Sequence, residues 1–112
     1  MADFDPVRSF RKLAYNNALA NVRLYRACAA LKSGEFEAKR VSFFPSIKAT
    51  LNHILTVDWF YVDALEGGTL GLKAFEVDEP YDRLDVLSRE QADVDRPLGA
   101  FCEELAPQTA MR

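Results

Sequence analysis

His53 is the only histidine among 112 residues. It stands inside the segment Ser46-Ile47-Lys48-Ala49-Thr50-Leu51-Asn52-His53-Ile54-Leu55-Thr56-Val57-Asp58-Trp59-Phe60. A Ser-His-Asp triad would load all the base chemistry onto this ring. A zinc site normally draws three or four ligands from His, Cys and carboxylates. Beyond His53 the chain offers Cys28, Cys102 and scattered carboxylates. On a helix turning ~100° per residue, the neighbours one turn away are Ala49 and Val57, which bring no second ligand. Asp58 and Asp63 fall on other faces. His53 therefore reads in two ways: one donor of an incomplete metal site, or a partly buried structural residue lining a crevice between helices.

A second group carries polar atoms where apolar ones belong. Asn17 and Asn21 interrupt the inner line of a first helix, and Asp58 interrupts that of a second. A carboxylate taken out of water costs several kcal/mol unless it is paired or hydrogen-bonded. Antiparallel packing of the two helices is expected to bring the amides near Asp58. The group is then either a satisfied polar layer that sets helix register or support for a ligand or metal pocket.

The elements that must position these residues follow from helical spacing. Phe10, Ala14, Asn17, Asn21, Leu24, Cys28 and Leu31 alternate steps of four and three. With Asp5 as cap, Pro6 in the first position and Ser33-Gly34 as a stop, they predict a helix over 6–32. Ile47, Leu51, Ile54, Asp58, Tyr61 and Leu65 predict a second over 44–66, capped at Ser42 or its neighbour, with Pro45 in the first turn and Gly67-Gly68 at the end. The outer face of that helix would hold Lys48, Asn52, Thr56, Asp63 and Glu66. Leu84, Leu87, Gln91, Val94, Leu98, Phe101 and Leu105 predict a third over 81–105, opened by Asp78-Glu79-Pro80 or Asp82. Pro97 inside it predicts a kink or break, since proline removes an amide donor and clashes with the carbonyl four residues back. The connection of some fifteen residues before this helix is longer than a hairpin needs and lets the third helix run in the same direction as the second. Trp59 is predicted to pack under this connection, with Phe75 or the loop as cover, or at a dimer interface.

No strand pattern competes, so the fold class is all-α, a bundle in one domain spanning 1–112. Apolar residues make up 49% of the chain, which is enough for a core. A net charge of −3 without a dense basic patch argues against nucleic acid as a partner. No apolar run approaches the ~18 residues of a membrane helix, and two cysteines without a signal-peptide pattern point to the cytoplasm. Cys28 and Cys102 take apolar helix positions, where core packing rather than thiol chemistry is expected.

With these residues placed, the chain resembles the DinB/YfiT family of helical-bundle proteins. Tyr15-Asn16, Asn21 and Leu24 carry the likeness on the first helix. Phe44-Pro45-Ser46-Ile47, Thr50-Leu51-Asn52-His53-Ile54-Leu55, Asp58-Trp59 and Leu65-Glu66-Gly67 carry it on the second. Tyr81, Leu84, Leu87 and the run from Arg89 to Asp93 fit the third. The resemblance implies four helices in up-down-down-up order with a long crossover between the second and third. It also implies a divalent metal, nickel or zinc, held by three histidines. His53 matches the first; the other two would lie on a fourth helix. Activities in the family include thiol S-transferases and a thiol-dependent isomerase, and other members are damage-inducible dimers.

This chain stops at Arg112, after the third helix. The expectation is a bundle missing its fourth helix, with metal absent or weakly bound and a small-molecule thiol as partner only if the metal site is completed. A groove lined by Leu24, Leu31, Ile54 and Phe101 would stay open, and a homodimer burying more than ~1,500 Å2 would cover it. Two rivals stand beside that reading. One is a metal-dependent thiol S-transferase or hydrolase in which His53 is one ligand and carboxylates replace the lost pair. The other is a non-enzymatic module that binds a partner helix in the groove.

Overall fold

A computed structural model describes residues 6–41 and 44–105. Its elements are α1 (Pro6–Ala29), α2 (Ile47–Leu65), a 3-10 helix (Gly71–Phe75) and α3 (Leu84–Glu104), with no strand among the described residues. The chain is all-α, as its periodicity predicts. The expected caps Asp5 and Ser42 lie outside the described residues.

Each helix is shorter than its apolar pattern, for a local reason in each case. α1 stops at Ala29 rather than 32 because Ala30 and Leu31 donate to Ala27 and Cys28, three residues back, and so tighten the last turn. Gly34 follows at φ +87°, which only glycine adopts without strain. α2 starts at Ile47 rather than 44. Ser46 is its cap: an extended residue (φ −155°) whose hydroxyl accepts from the Ala49 amide at 2.9 Å. Pro45 therefore precedes the cap. α3 starts at Leu84 rather than 81, because the backbone of Tyr81 is engaged by Asn52. None of Asp78, Glu79 or Asp82 caps it; Arg83 holds the cap position without a side-chain bond.

α3 runs unbroken through Pro97. Buried Val94 and Asp95 before it and Cys102 after it anchor both halves, and this packing outweighs the lost amide bond.

α3 packs against both α1 and α2, and no Cα pair of α1 and α2 among the described residues comes within 8 Å. Arg11 donates to the carbonyls of Cys102 and Glu103, while Asn21 reaches back to Asp95, so α1 and α3 are antiparallel. Lys48 meets Asp82, Asp58 meets Gln91, and Val62 faces Val94 and Pro97, so α2 and α3 run the same way. The crossover over 66–83 makes this possible. It returns along α2, with the Leu70 amide on the Asp63 carboxylate at 2.8 Å and Phe75 tilted on Phe60 at 5.4 Å. A Cβ on Gly68 would overlap the Asp63 carboxylate, so a side chain there would push that carboxylate off the Leu70 amide. Trp59 meets Tyr81 edge-on at 6.1 Å. Its cover is thus the end of the crossover, and Phe75 goes to Phe60.

The core joins Tyr25 and Cys28 of α1, Leu51, Leu55 and Val62 of α2, and Leu87 and Val94 of α3. Two stripes sit differently from their sequence patterns. On α1, Val7, Ala14, Tyr25 and Cys28 are buried, whereas Phe10 and Leu24 are exposed. On α2, Asn52 and Thr56 are buried, whereas Tyr61 and Leu65 are exposed. The crossover covers the face of α2 that its polar residues mark as outer. The face that reads as core packs inward at Leu51 and Ile54, and only its last members, Tyr61 and Leu65, stand open.

Candidate functional site

The polar layer assembles on α3 rather than between α1 and α2. Asn17 and Asn21, one turn apart on α1, each donate a side-chain N–H to Asp95, to Oδ1 at 3.3 Å and Oδ2 at 2.9 Å. Gln91, one turn before Asp95, donates to Asp95 Oδ1 at 3.0 Å and to Asp58 Oδ2 at 2.7 Å. The expected meeting of the amides with Asp58 therefore does not form. α3 lies between the helices, and its Gln91 and Asp95 link the two sides. Gln91 is 1% exposed and Asp95 8%. Burial pushes the Asp58 carboxyl above its ordinary value; the bond from Gln91 pulls it down, and the charge of Asp95 pushes it up again. Among the described residues neither aspartate has an ion-pair partner.

Beside this layer the Tyr25 hydroxyl and Gln91 Oε1 are buried with no hydrogen-bond partner among the described residues. Burial, then the neighbouring Cys28, Asp95 and Asp58, drive the Tyr25 phenol far above its ordinary range, so it stays protonated. Asp95 and Tyr25 are functional candidates that helical spacing did not single out. The i, i+4 pair of Gln91 and Asp95 was the available signal. For Tyr25 there was none, since an aromatic one position from Leu24 looks equally at home on either flank.

His53 lies elsewhere. It is exposed, with its ring tilted against Phe44 at 4.6 Å. It lines a 350 Å3 cavity between α2 and the crossover, with Ala49, Thr56, Phe75, Asp78 and Glu79. The crevice is therefore bounded by a helix and a loop. Asp58 faces α3 and takes no part in it. Among the described residues no three His, Cys, Asp or Glu side chains gather as a metal-holding group. His53 shares its cavity with two carboxylates, Asp78 and Glu79, without a gathered three-ligand set among the described residues.

Next to His53, Asn52 is fully buried and acts as a clamp. Its amide donates to the carbonyls of Lys48 at 2.9 Å and Tyr81 at 2.8 Å, and its Oδ1 accepts from the Tyr81 amide at 3.0 Å. The side chain pairs with the crossover backbone as a neighbouring strand would. No sequence signal predicts it, because the partner is main chain 29 residues away.

Cys28 and Cys102 are buried and unbridged, and burial raises both thiols, with Glu103 adding to Cys102. Their place is in the packing, as their apolar helix positions predict. At the far end of the bundle Phe10, Leu13, Leu65, Leu98, Phe101 and Leu105 line an apolar groove of about 440 Å3. Leu13 is 64% exposed and Leu65 48%. The groove keeps Phe101 from the expected set. Leu31 and Ile54 instead pack on the core, because Tyr25 and Cys28 close that end of the bundle against Leu51 and Leu55. Among the described residues no helix is long and apolar enough to cross a membrane.

The family model described as the DinB family matches residues 5–111. No curated protein and no solved structure matches the chain.

Proposed function

The chain belongs to the DinB family, and from that premise we propose that it works as a homodimer whose two copies cover each other's apolar groove. The observation that carries this reading is the groove itself. Its lining is apolar apart from Asn17 at one edge. Apolar patches of this kind on small proteins mark interaction sites. A two-fold contact sets the same patch against itself, and a lining without charges meets no like-charge repulsion in doing so. In this reading the polar layer of Asn17, Asn21, Asp58, Gln91 and Asp95 sets helix register, and the chain is a helical assembly protein without catalysis of its own.

A second reading is favoured by one observation: Asp78 and Glu79 share a cavity with His53. The carboxylates would then stand in for missing imidazoles at a nickel or zinc site of a thiol S-transferase or hydrolase, with partner-copy or further donors completing the set. Glu79 is within 3.9 Å of Lys48 and would have to exchange that partner for the metal.

One preparation separates the two. Light scattering at micromolar concentration, with metal analysis of the same sample, is expected to give a dimer that holds no stoichiometric metal. A monodisperse monomer removes the assembly reading. Stoichiometric nickel or zinc, lost in His53→Ala, establishes the second. A helical partner that co-purifies with monomeric chain would turn the groove over to a foreign helix.

A further inference from the structure

We propose that self-association through the apolar groove takes up a proton at Asp58, so that falling pH favours the dimer. The proposal rests on the dimer reading above and adds its regulation. Asp58 sits where one face of α2 passes from packed to open. Ile54 before it packs on the core, and Tyr61 after it is 61% exposed. Leu65, which lines the groove, lies seven residues on, within about 20° of the same bearing on the helix. No Cα of α1 comes within 8 Å of α2 among the described residues, so a gap separates the two helices along this face. Asn17 joins the groove to the polar layer, for it lines the one and donates to Asp95 of the other at 3.3 Å.

The layer carries negative charge without a counter-ion. Asp58 and Asp95 share the Gln91 amide, at 2.7 Å and 3.0 Å, and neither has an ion-pair partner among the described residues. The titratable groups facing Asp58 are Asp95 on α3 and Tyr25 on α1, and neither is a cation. On α2 itself His53 and Asp63 turn toward the crossover. Asp58 accepts on Oδ2 alone, while Oδ1 has no partner among the described residues and is not one of the sealed polar atoms. Water answers Oδ1 in the single chain.

A second copy laid on the groove and along the same face displaces that water. The bare carboxylate is then disfavoured, and a proton from solution neutralises it. Burial already pushes this carboxyl above its ordinary value in the single chain, and the contact continues in the same direction. The dimer thus holds more protons than two separate chains, and association strengthens as pH falls. The groove lining brings no carboxylate, imidazole or amine of its own to titrate.

The test is sedimentation of the full chain over a concentration series, with Asp58→Asn alongside. It runs from about pH 7.5 down to about pH 5.5, above the isoelectric point near 5.1. The parent's association constant is expected to rise at least ~10-fold, the effect of one proton over one pH unit. Asp58→Asn has no charge to desolvate. Its constant is expected to match the parent's at the low end and to change less than ~3-fold, through overall charge repulsion alone. If Asp58→Asn does not fold, the carbon-13 signal of the Asp58 carboxyl in the parent serves instead. Its titration midpoint is expected at higher pH in concentrated than in dilute sample. A dimer whose constant stays flat with pH leaves the assembly reading standing and overturns the coupling. The parent's slope retained in Asp58→Asn, or equal carboxyl midpoints at both concentrations, would sink it as well. A monomer at every pH removes the coupling and the assembly reading together.

Discussion

Two parts of α2 depart from the roles that their residues advertise. One carries Asn52, Thr56 and Asp63, and it is closed: Asn52 is 0% exposed and Thr56 3%. The other carries Tyr61 and Leu65, and it is open, at 61% and 48% exposed. The closed flank is not closed by apolar attraction. Its cover is a backbone segment, and only a side chain with both a donor and an acceptor can bind a backbone segment at both its N–H and its C=O. The open flank has apolar residues and ends in the uncovered groove that Leu65 shares with Leu98 and Phe101. Polarity alone does not say which side of a helix is inside; the partner's hydrogen-bonding needs decide it.

The largest expected effect breaks the closed flank. Asn52→Ala removes three hydrogen bonds and leaves the Tyr81 amide and carbonyl without partners. A loss of about 2–4 kcal/mol is expected in urea unfolding. Hydrogen exchange at the Tyr81 amide should quicken well beyond that of Leu55. If Asn52→Ala costs under ~1 kcal/mol, the crossover is held by its aromatic contacts with Phe60 and Trp59, and the contrast between the flanks dissolves.

Leu65→Glu sharpens the other side. On a half-exposed position the single chain is expected to change by less than about 1 kcal/mol. The self-association constant, by contrast, is expected to weaken at least ~100-fold, since a desolvated carboxylate sits poorly in an apolar contact. Analytical ultracentrifugation of both chains over a concentration series reads it. An unchanged association constant would move the contact surface away from this groove.

The smallest effect concerns pH. The folded Asp58 carboxyl lies above its ordinary value of 3.8. Folded chain therefore keeps a proton at pH values where unfolded chain has released it. The stability this contributes is present in full below the ordinary value and is lost as pH rises through the raised one. Asp58→Asn keeps an oxygen to accept from Gln91 and removes the titration. The variant's stability between pH 3 and 7 is expected to be flatter than that of the parent, as read by thermal unfolding across the range. A slope equal to the parent's would assign the pH response to other carboxylates.

Much of this was legible in the residues. Steps of three and four located all three helices, and the lone histidine between Ala49 and Val57 already ruled out a helical ligand pair. Gly67-Gly68 and a connection too long for a hairpin announced the crossover and the parallel course of α3. The interruption of two apolar stripes by Asn17, Asn21 and Asp58 announced a polar layer. Its wiring was not legible. Helical period gives the face of a residue on its own helix but not which helix stands opposite, so it left Asp95 unseen and paired the amides with the wrong carboxylate.

The chain alone determined the number of long helices, each of their ends to within a turn, and the absence of a second imidazole, because these depend on local backbone preference and on composition. Tertiary structure alone decided that α3 stands between its two neighbours, that Asn52 grips the returning backbone, and that Gln91 joins Asp58 to Asp95. Those outcomes depend on contacts between residues far apart in the chain, and no local period encodes them.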